Sequence, residues 1–352
     1  MNALHFIWFE FIFCAALIGS AGYQLSRHGD AISRRTGLSG SWIGLALLAT
    51  VTSLPELATG ITSVTLAQAP NLAVGDALGS CVVNLLILVL VDFFYRKEPI
   101  WHRADRGHVL AAAFGVVMLG FVLVGLLIGQ TTPSQGKMMA ASAAQWGFGL
   151  TTPVLLVLYL VAMRTVFKYE RENVRQAAQQ LSPQPERQTG DPLPTLRHAV
   201  TRFTLAAAVV AGAGVWLPFV ATDLAQVMAW NKSFVGSLFV ALATSLPELA
   251  VTLSALRMGA LDMAIGSLLG SNLFNVAIIA VDDMFYRPGM LLAEVSPVHA
   301  VTAASAITMT GLAMVGLFFK PVGRVLRAIS WVSLGMVGMY LLNTYVLYLY
   351  GQ

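Results

Sequence analysis

Charge is what this chain has least of. Asp, Glu, Lys and Arg make up 11% of its 352 residues, where soluble domains carry about 25%, so an ordinary water-soluble domain is excluded. Cysteine is nearly absent. Cys14 and Cys81 form no CxxC pair and no ligand cluster, which leaves no basis for a disulfide framework or a zinc site. No HExxH helix, phosphate-binding glycine loop, Ser-His pairing or paired-Asp protease pattern stands out, so the chain reads as no enzyme and as no nucleotide-driven pump. Nothing points to nucleic acid, a resident cofactor or an obligate protein partner.

What fills the chain instead is apolar. Hydrophobic residues make up 57%, mean hydropathy is +0.73, and runs such as 109–130 and 300–319 reach the ~20 residues a helix needs to cross the ~30 Å hydrocarbon layer of a bilayer. These runs lack the alternating polarity of a membrane barrel, and helices are the other way to satisfy a backbone in lipid. The expected fold class is an all-α polytopic membrane protein. The first residues carry no basic region ahead of their apolar run and read as a retained helix, not a cleaved signal.

Ten spans are predicted, near 4–26, 41–68, 71–93, 107–129, 147–168, 198–220, 234–258, 261–286, 298–320 and 324–350. An even number puts both termini on one side. With the termini outside, every Lys and Arg except Lys137, Lys232 and Arg287 falls on the cytoplasmic side, as expected for a plasma (inner) membrane protein. The single long polar stretch, KYERENVRQAAQQLSPQPERQTGDPLPTLRH, reads as a cytoplasmic tether, helical at its start. The expected division is 1–168, a linker at 169–197, and 198–352.

The two halves repeat each other. TSLPELATGITSVTLAQAPNLAVGDALGSCVVNLLILVLVDFFYR at 52–96 aligns with TSLPELAVTLSALRMGALDMAIGSLLGSNLFNVAIIAVDDMFYR at 244–287. Five spans separate equivalent positions, so the second copy is inverted. Inverted repeats with proline-interrupted helices in matching places are the signature of secondary transporters. Pro55 and Pro247 release carbonyls from the preceding turn, at Thr50, Val51 and Thr52 and at Leu242, Ala243 and Thr244. Glu56 and Glu248 have no Lys or Arg nearby in their helices, so a bound cation or a proton is the simplest counter-charge. Ser80 and Asn84, like Ser271 and Asn275, are four apart on one helical face. This all-oxygen donor set suits Ca²⁺ or Na⁺ and not copper or zinc. The plainer alternatives are interhelical hydrogen bonding by Ser and Asn, close packing at Gly75 and Gly79, and kink relief by the Thr-Ser pairs.

These segments resemble the two α-repeats of the cation/calcium exchanger superfamily, most closely its sodium/calcium exchanger branch, with GSCVVN at 79–84 and GSNLFN at 270–275 beside the two TSLPEL segments. The resemblance implies ten helices as two inverted five-helix repeats, alternating access, and a first and sixth helix that slide past central ion sites. It implies Glu56 and Glu248 as acidic ligands with Asn84 and Asn275 beside them. Oxygens from Thr52, Ser53, Ser80, Thr244, Ser245 and Ser271 and the backbone carbonyls of Ala49 and Ala241 complete the implied set. The sequence departs from the pattern in three ways. Val51 and Ala243 replace a glycine. Asn275 stands where some sodium/calcium exchangers have Asp, leaving two central carboxylates. Asp76 stands where Asn is usual, and reads either as a further ligand or as an acid near a helix N-terminus.

The expected activity is exchange of Ca²⁺ for Na⁺, with Ca²⁺/H⁺ antiport as the alternative and a passive cation channel behind both. Asp92 and the pair Asp282–Asp283 read as interfacial anchors or as a relay leading out of the site. Glu10 is a weaker relay candidate. His28, His102, His108 and His198 are expected to be solvated near the cytoplasmic face.

Overall fold

A computed structural model of the chain describes residues 3–36, 49–95, 98–104, 107–131, 149–180, 194–257, 259, 261–325 and 329–350. The first half contains α1 (Ala3–Thr36), α2 (Ala49–Thr52), α3 (Leu54–Thr65), α4 (Pro70–Phe94), α5 (Ile100–Arg103), α6 (His108–Thr131) and α7 (Thr151–Gln180). The second contains α8 (Leu196–Met228), α9 (Lys232–Thr244), α10 (Leu246–Arg257), α11 (Leu261–Phe285), α12 (Leu291–Glu294), α13 (His299–Phe319) and α14 (Trp331–Tyr350). Among the described residues there is no strand, only an isolated bridge between Val325 and Ile329. Among the described residues, eight helices are long and apolar enough to cross a membrane, and α9 with α10, bent by 42° at Ser245, passes the same test as a pair. Of the expected second span the structure describes the part from Ala49 onward; its start lies outside the described residues.

Local chemistry sets the helix boundaries. Pro70 opens α4 in the first turn, where its missing N–H costs nothing. The Asn231 side chain accepts from Phe234 N at 2.6 Å and starts α9. The last span begins at Trp331, seven residues later than expected, because the Val325–Ile329 bridge and the Ser330 hydroxyl, which accepts from Ser333 N at 3.2 Å, occupy the approach. The fifth-span helix α7 runs on to Gln180, so the tether starts as helix; residues 181–193 lie outside the described set.

The halves correspond element by element. α3 and α10 are each 12 residues long, 192 apart, and α4 and α11 are each 25 residues long, 191 apart. The short helices α5 and α12 and the starts of α6 and α13, at His108 and His299, keep the offset of 191. α4 and α11 pack together at the centre and are buried along most of their length. α6, α7, α13 and α14 surround them, while α1 and α8 run side by side against the broken helices. Large apolar side chains such as Phe9, Ile12, Leu160, Leu205 and Tyr345 point outward, as lipid requires.

Repeated polar fixtures hold the frame. Asp92 accepts hydrogen bonds from Ile100 N (3.1 Å), Ser330 N (2.8 Å) and Ser333 Oγ (2.7 Å). Its counterpart Asp283 accepts from Leu291 N (2.7 Å), Gly149 N (2.8 Å) and the Thr152 hydroxyl. These two acids are anchors that tie the starts of α5 and α12 to α14 and α7. His108 meets Asp262 at 3.2 Å, and the equivalent His299 meets Asn71 at 3.2 Å. The histidine expectation fails in part. His28 and His108 are buried, the first against the His198 ring, because helix ends pack over them; His102 and His198 are exposed.

Candidate cation site

Both broken helices are interrupted at the serine before Leu-Pro-Glu. Ser53 (φ −90°, ψ 14°) and Ser245 (φ −81°, ψ 6°) lie in the bridge region between helix and strand conformations. Pro55 and Pro247 have no N–H for the carbonyls of Val51 and Ala243, so the ladder opens there. Glu56 and Glu248 then fall in the first turn of the new helices α3 and α10, where the unpaired backbone N–H groups favour negative charge.

Close packing brings the partner helices to these breaks. Residues Val235–Val240 of α9 form a π-turn, which lays Gly236 and Ser237 on Gly75 and Gly79 of α4. A methyl group on Gly79 would come within 2.7 Å of Ser237 Cα, so this glycine pair serves close approach. On the opposite side each break is covered by a glycine of a long helix. Gly22 of α1 lies on Pro247 and Gly214 of α8 lies on Pro55, positions again 192 apart.

Every residue of the expected ligand set is buried: Ala49, Thr52, Ser53, Glu56, Asp76, Ser80, Asn84, Ala241, Thr244, Ser245, Glu248, Ser271 and Asn275. The contacts cross between the halves. Glu248 Oε1 accepts from Ser53 Oγ of the first half (3.0 Å) and from Ser271 Oγ (3.3 Å), and Thr52 Oγ1 lies 3.5 Å from Ser271 Oγ. The mirrored pair, Ser80 Oγ and Thr244 Oγ1, stands at 3.4 Å. Here the symmetry ends. Thr244 Oγ1 donates to Asp76 Oδ1 (2.8 Å), Ser80 Oγ also approaches it (3.5 Å), and the Ser245 hydroxyl has no partner. Both oxygens of Glu56 are therefore left without a hydrogen bond, as are Glu248 Oε2 and Asp76 Oδ2.

Asp76 thus lies in the hydroxyl network and not at a solvated helix end. The carbonyls of Ala49 and Ala241 stay in the backbone ladder. Each accepts the backbone N–H of Ser53 or Ser245, and the Ala49 carbonyl also lies 3.3 Å from the Thr52 hydroxyl. Asn84 differs from Asn275. Its Nδ2 donates to Asn272 Oδ1 at 3.0 Å, and Asn272 Nδ2 reaches the Cys81 carbonyl at 3.2 Å. The counterpart of Asn272 is Cys81, which has no amide to offer, so both polar atoms of Asn275 are unpartnered. Sequence reasoning passed over Asn272, although it is the Asn of the GSN triplet in the second repeat.

Among the described residues, no Lys or Arg forms an ion pair with Glu56, Asp76 or Glu248, and no three His, Cys, Asp or Glu residues gather closely enough to enclose a metal ion. Any cation held here must take hydroxyl, amide and carbonyl oxygens alongside carboxylate. That donor set fits Ca²⁺ and Na⁺.

Known proteins share this fold and match much of this sequence. YrbG, an inner membrane protein of Escherichia coli (strain K12), is 27% identical over 263 residues, 73% of each chain. The sodium/calcium exchanger MaX1 of Methanosarcina acetivorans is 26% identical over 305 residues, 80% of this chain and 83% of its own. The solved structure of the sodium-calcium exchanger NCX_Mj in 10 mM Na⁺ without Ca²⁺ aligns with a TM-score of 0.61 at 23% identity, over 98% of this chain and 99% of that one, which establishes the fold. The sodium/calcium exchanger protein family matches residues 6–166 and 198–352, nearly everything but the tether. Broken helices, inverted halves and buried acids without basic partners accord with that match: the chain is a multi-pass membrane transporter and belongs to the sodium/calcium exchanger protein family.

Proposed function

We propose that the protein is a secondary active antiporter that exchanges Ca²⁺ for Na⁺ by alternating access. The ions bind near the membrane midplane between the two helix breaks. The observation that carries this reading is Glu248: fully buried, fixed by Ser53 from the opposite half, without a basic partner, and with one oxygen open. A carboxylate in that state needs a cation or a proton as its counter-charge. Glu56 supplies the second charge, and Asn84, Asn275, Thr52, Ser53, Ser80, Thr244, Ser245 and Ser271 supply neutral oxygens. Asp76 joins them through Thr244. The carbonyls of Ala49 and Ala241 supply further oxygens through the lone pair that their backbone hydrogen bond leaves open.

Residues 1–168 and 198–352 act as the two inverted units and 169–197 as the cytoplasmic linker, with the termini outside and the protein in the plasma (inner) membrane. The face where α3 turns into α4 is then the outer face. α1 and α8 slide across the breaks on Gly22 and Gly214. MaX1 carries the name sodium/calcium exchanger. CaxA of Alkalimonas amylolytica, 26% identical over 264 residues, is named a putative antiporter.

Ca²⁺/H⁺ antiport is the second reading, favoured by Asn at both 84 and 275. Two central glutamates balance one Ca²⁺, and two protons replace it as readily as two Na⁺. Uptake of ⁴⁵Ca²⁺ into proteoliposomes under an imposed Na⁺ gradient, a pH gradient or neither separates these couplings. Uptake that follows Na⁺ alone supports the first reading; equal uptake without any gradient overturns antiport.

A further inference from the structure

Four acids lie fully buried in the helices that carry the repeat without a capping role: Glu56, Asp76, Glu248 and Asp282. Glu56 and Glu248 are counterparts. The other two have none, since Asp76 corresponds to Ser267 and Asp282 to Val91. Asp283 already performs the anchoring that Asp92 performs in the first half, so Asp282 is not needed for it. Neither oxygen of Asp282 has a hydrogen-bond partner, and no basic side chain pairs with it among the described residues.

Its surroundings are built for an acid. Asp282 of α11 rests on Gly60 of α3, where an added Cβ would lie 2.6 Å from Oδ1 and 2.8 Å from Cγ. The counterpart of Gly60 is Thr252. The first half therefore supplies a bare backbone where its partner helix supplies a carboxylate, and the second half supplies Thr opposite Val. Asp76 stands on α4, which packs along α11; it is likewise fully buried and its Oδ2 is unpartnered. On α3, Glu56, Gly60 and Ser63 share one face at i, i+4 and i+7. The Ser63 hydroxyl is buried and unpartnered. Oxygen atoms with open lone pairs thus run from Glu56 toward the face where α3 turns into α4.

We infer that Asp282 and Asp76 form a second, one-sided site for a hard cation, Na⁺ or Ca²⁺, between the central glutamates and the face where α3 turns into α4. Two carboxyl groups this deep without a basic group hold either a proton or a cation, and the donors available to a cation are all oxygens. The pair gives the outer leg of the path two formal charges that the inner leg lacks. This rests on the exchange reading above.

The test uses the full-length protein in proteoliposomes, with Ca²⁺ and Na⁺ varied on one side at a time. Asp282→Asn raises the half-saturating concentration of at least one cation about tenfold on the α3–α4 face and leaves the opposite face unchanged. Asp282→Val, the residue of the other half, does the same, and adding Asp76→Ser to either gives no further loss because both act on one ion. No change, or equal change on both faces, overturns the pair. Loss of a monodisperse protein in both Asp282 variants overturns it as well, because Asp282 is then holding the fold. Equilibrium binding of ²²Na⁺ or ⁴⁵Ca²⁺ to purified protein reads the pair apart from transport. Wild-type protein that fails to exchange but binds more cation than Asp282→Asn refutes the exchange reading and leaves the pair standing.

Discussion

Asp92→Asn keeps the shape of the anchor and removes one of its acceptor oxygens. In the native protein Oδ1 accepts from Ile100 N at 3.1 Å, and Oδ2 accepts from Ser330 N at 2.8 Å and Ser333 Oγ at 2.7 Å. The amide does best by turning its oxygen to Ser330 N and Ser333 Oγ at the start of α14, which sets its NH₂ against Ile100 N. One buried backbone N–H is then unsatisfied, at about 1–3 kcal/mol, and two bonds lose their charge, at about 1 kcal/mol each. Relief from burying a carboxylate returns part of this, so the expected net loss is roughly 2–4 kcal/mol. Heating the detergent-solubilised protein and measuring the fraction that stays monodisperse should show the midpoint falling by about 5–10 °C. Asp283→Asn, with its matching three bonds, should fall by a similar amount. Unchanged midpoints in both variants would refute the anchor assignment. So would lost transport at full thermal stability, which is the behaviour of a relay.

Glu56→Gln and Glu248→Gln should each abolish ⁴⁵Ca²⁺ exchange while the protein stays monodisperse; exchange at the parent rate from either removes that glutamate from the site. Ser53→Ala should raise the half-saturating Ca²⁺ concentration about tenfold, since its hydroxyl fixes Glu248 at 3.0 Å. Ser245→Ala should change it less, because that hydroxyl holds nothing. Gly22→Ala puts a methyl group 2.6 Å from Pro247 Cγ and should slow exchange while costing about 1–3 kcal/mol of stability. Gly214→Ala, with its nearest contacts at 3.0 Å, should be the milder of the two in both assays. Asn272→Ala frees Asn84 Nδ2 and should weaken Ca²⁺ binding, measured by isothermal titration, without changing which cations compete.

The sequence carried the frame because membrane helices announce themselves by length and apolarity, and because Thr-Ser-Leu-Pro-Glu is rare enough to align on. From that alignment came the interruptions before Pro55 and Pro247, the inverted order and a candidate oxygen set. What it could not carry was which oxygen meets which. Asp76 reads equally well as a ligand or as an acid near a helix N-terminus until the π-turn of α9 is seen to bring Thr244 against it. Asn272 was hidden by the alignment itself, since a residue opposite Cys81 looks like variation. Asp282 and Asp283 are adjacent in sequence but face different neighbours, and only packing shows that one caps α12 while the other lies unbonded on Gly60.

Symmetry explains the fixtures, and its failures locate the chemistry. Asp92 and Asp283, His108 and His299, Gly22 and Gly214, and Pro55 and Pro247 all recur in pairs, because an inverted repeat needs the same frame on both faces of the membrane. A site that faces each side in turn would, with perfect symmetry, offer the same ligands to both. This chain does not. Asp76 draws Thr244 and Ser80 toward itself and leaves Glu56 without the bonds that Glu248 keeps, while Asn275 lacks the amide partner that Asn84 has. Glu56 is therefore the less satisfied of the two carboxylates and has the stronger need for a cation. Replacing Asp76 by Ser, its counterpart in the other half, returns the Thr244 and Ser80 hydroxyls to Glu56. Ca²⁺ affinities measured from the two faces should then move toward each other. If the two affinities stay as far apart as in the parent protein, Asp76 is not the source of the asymmetry.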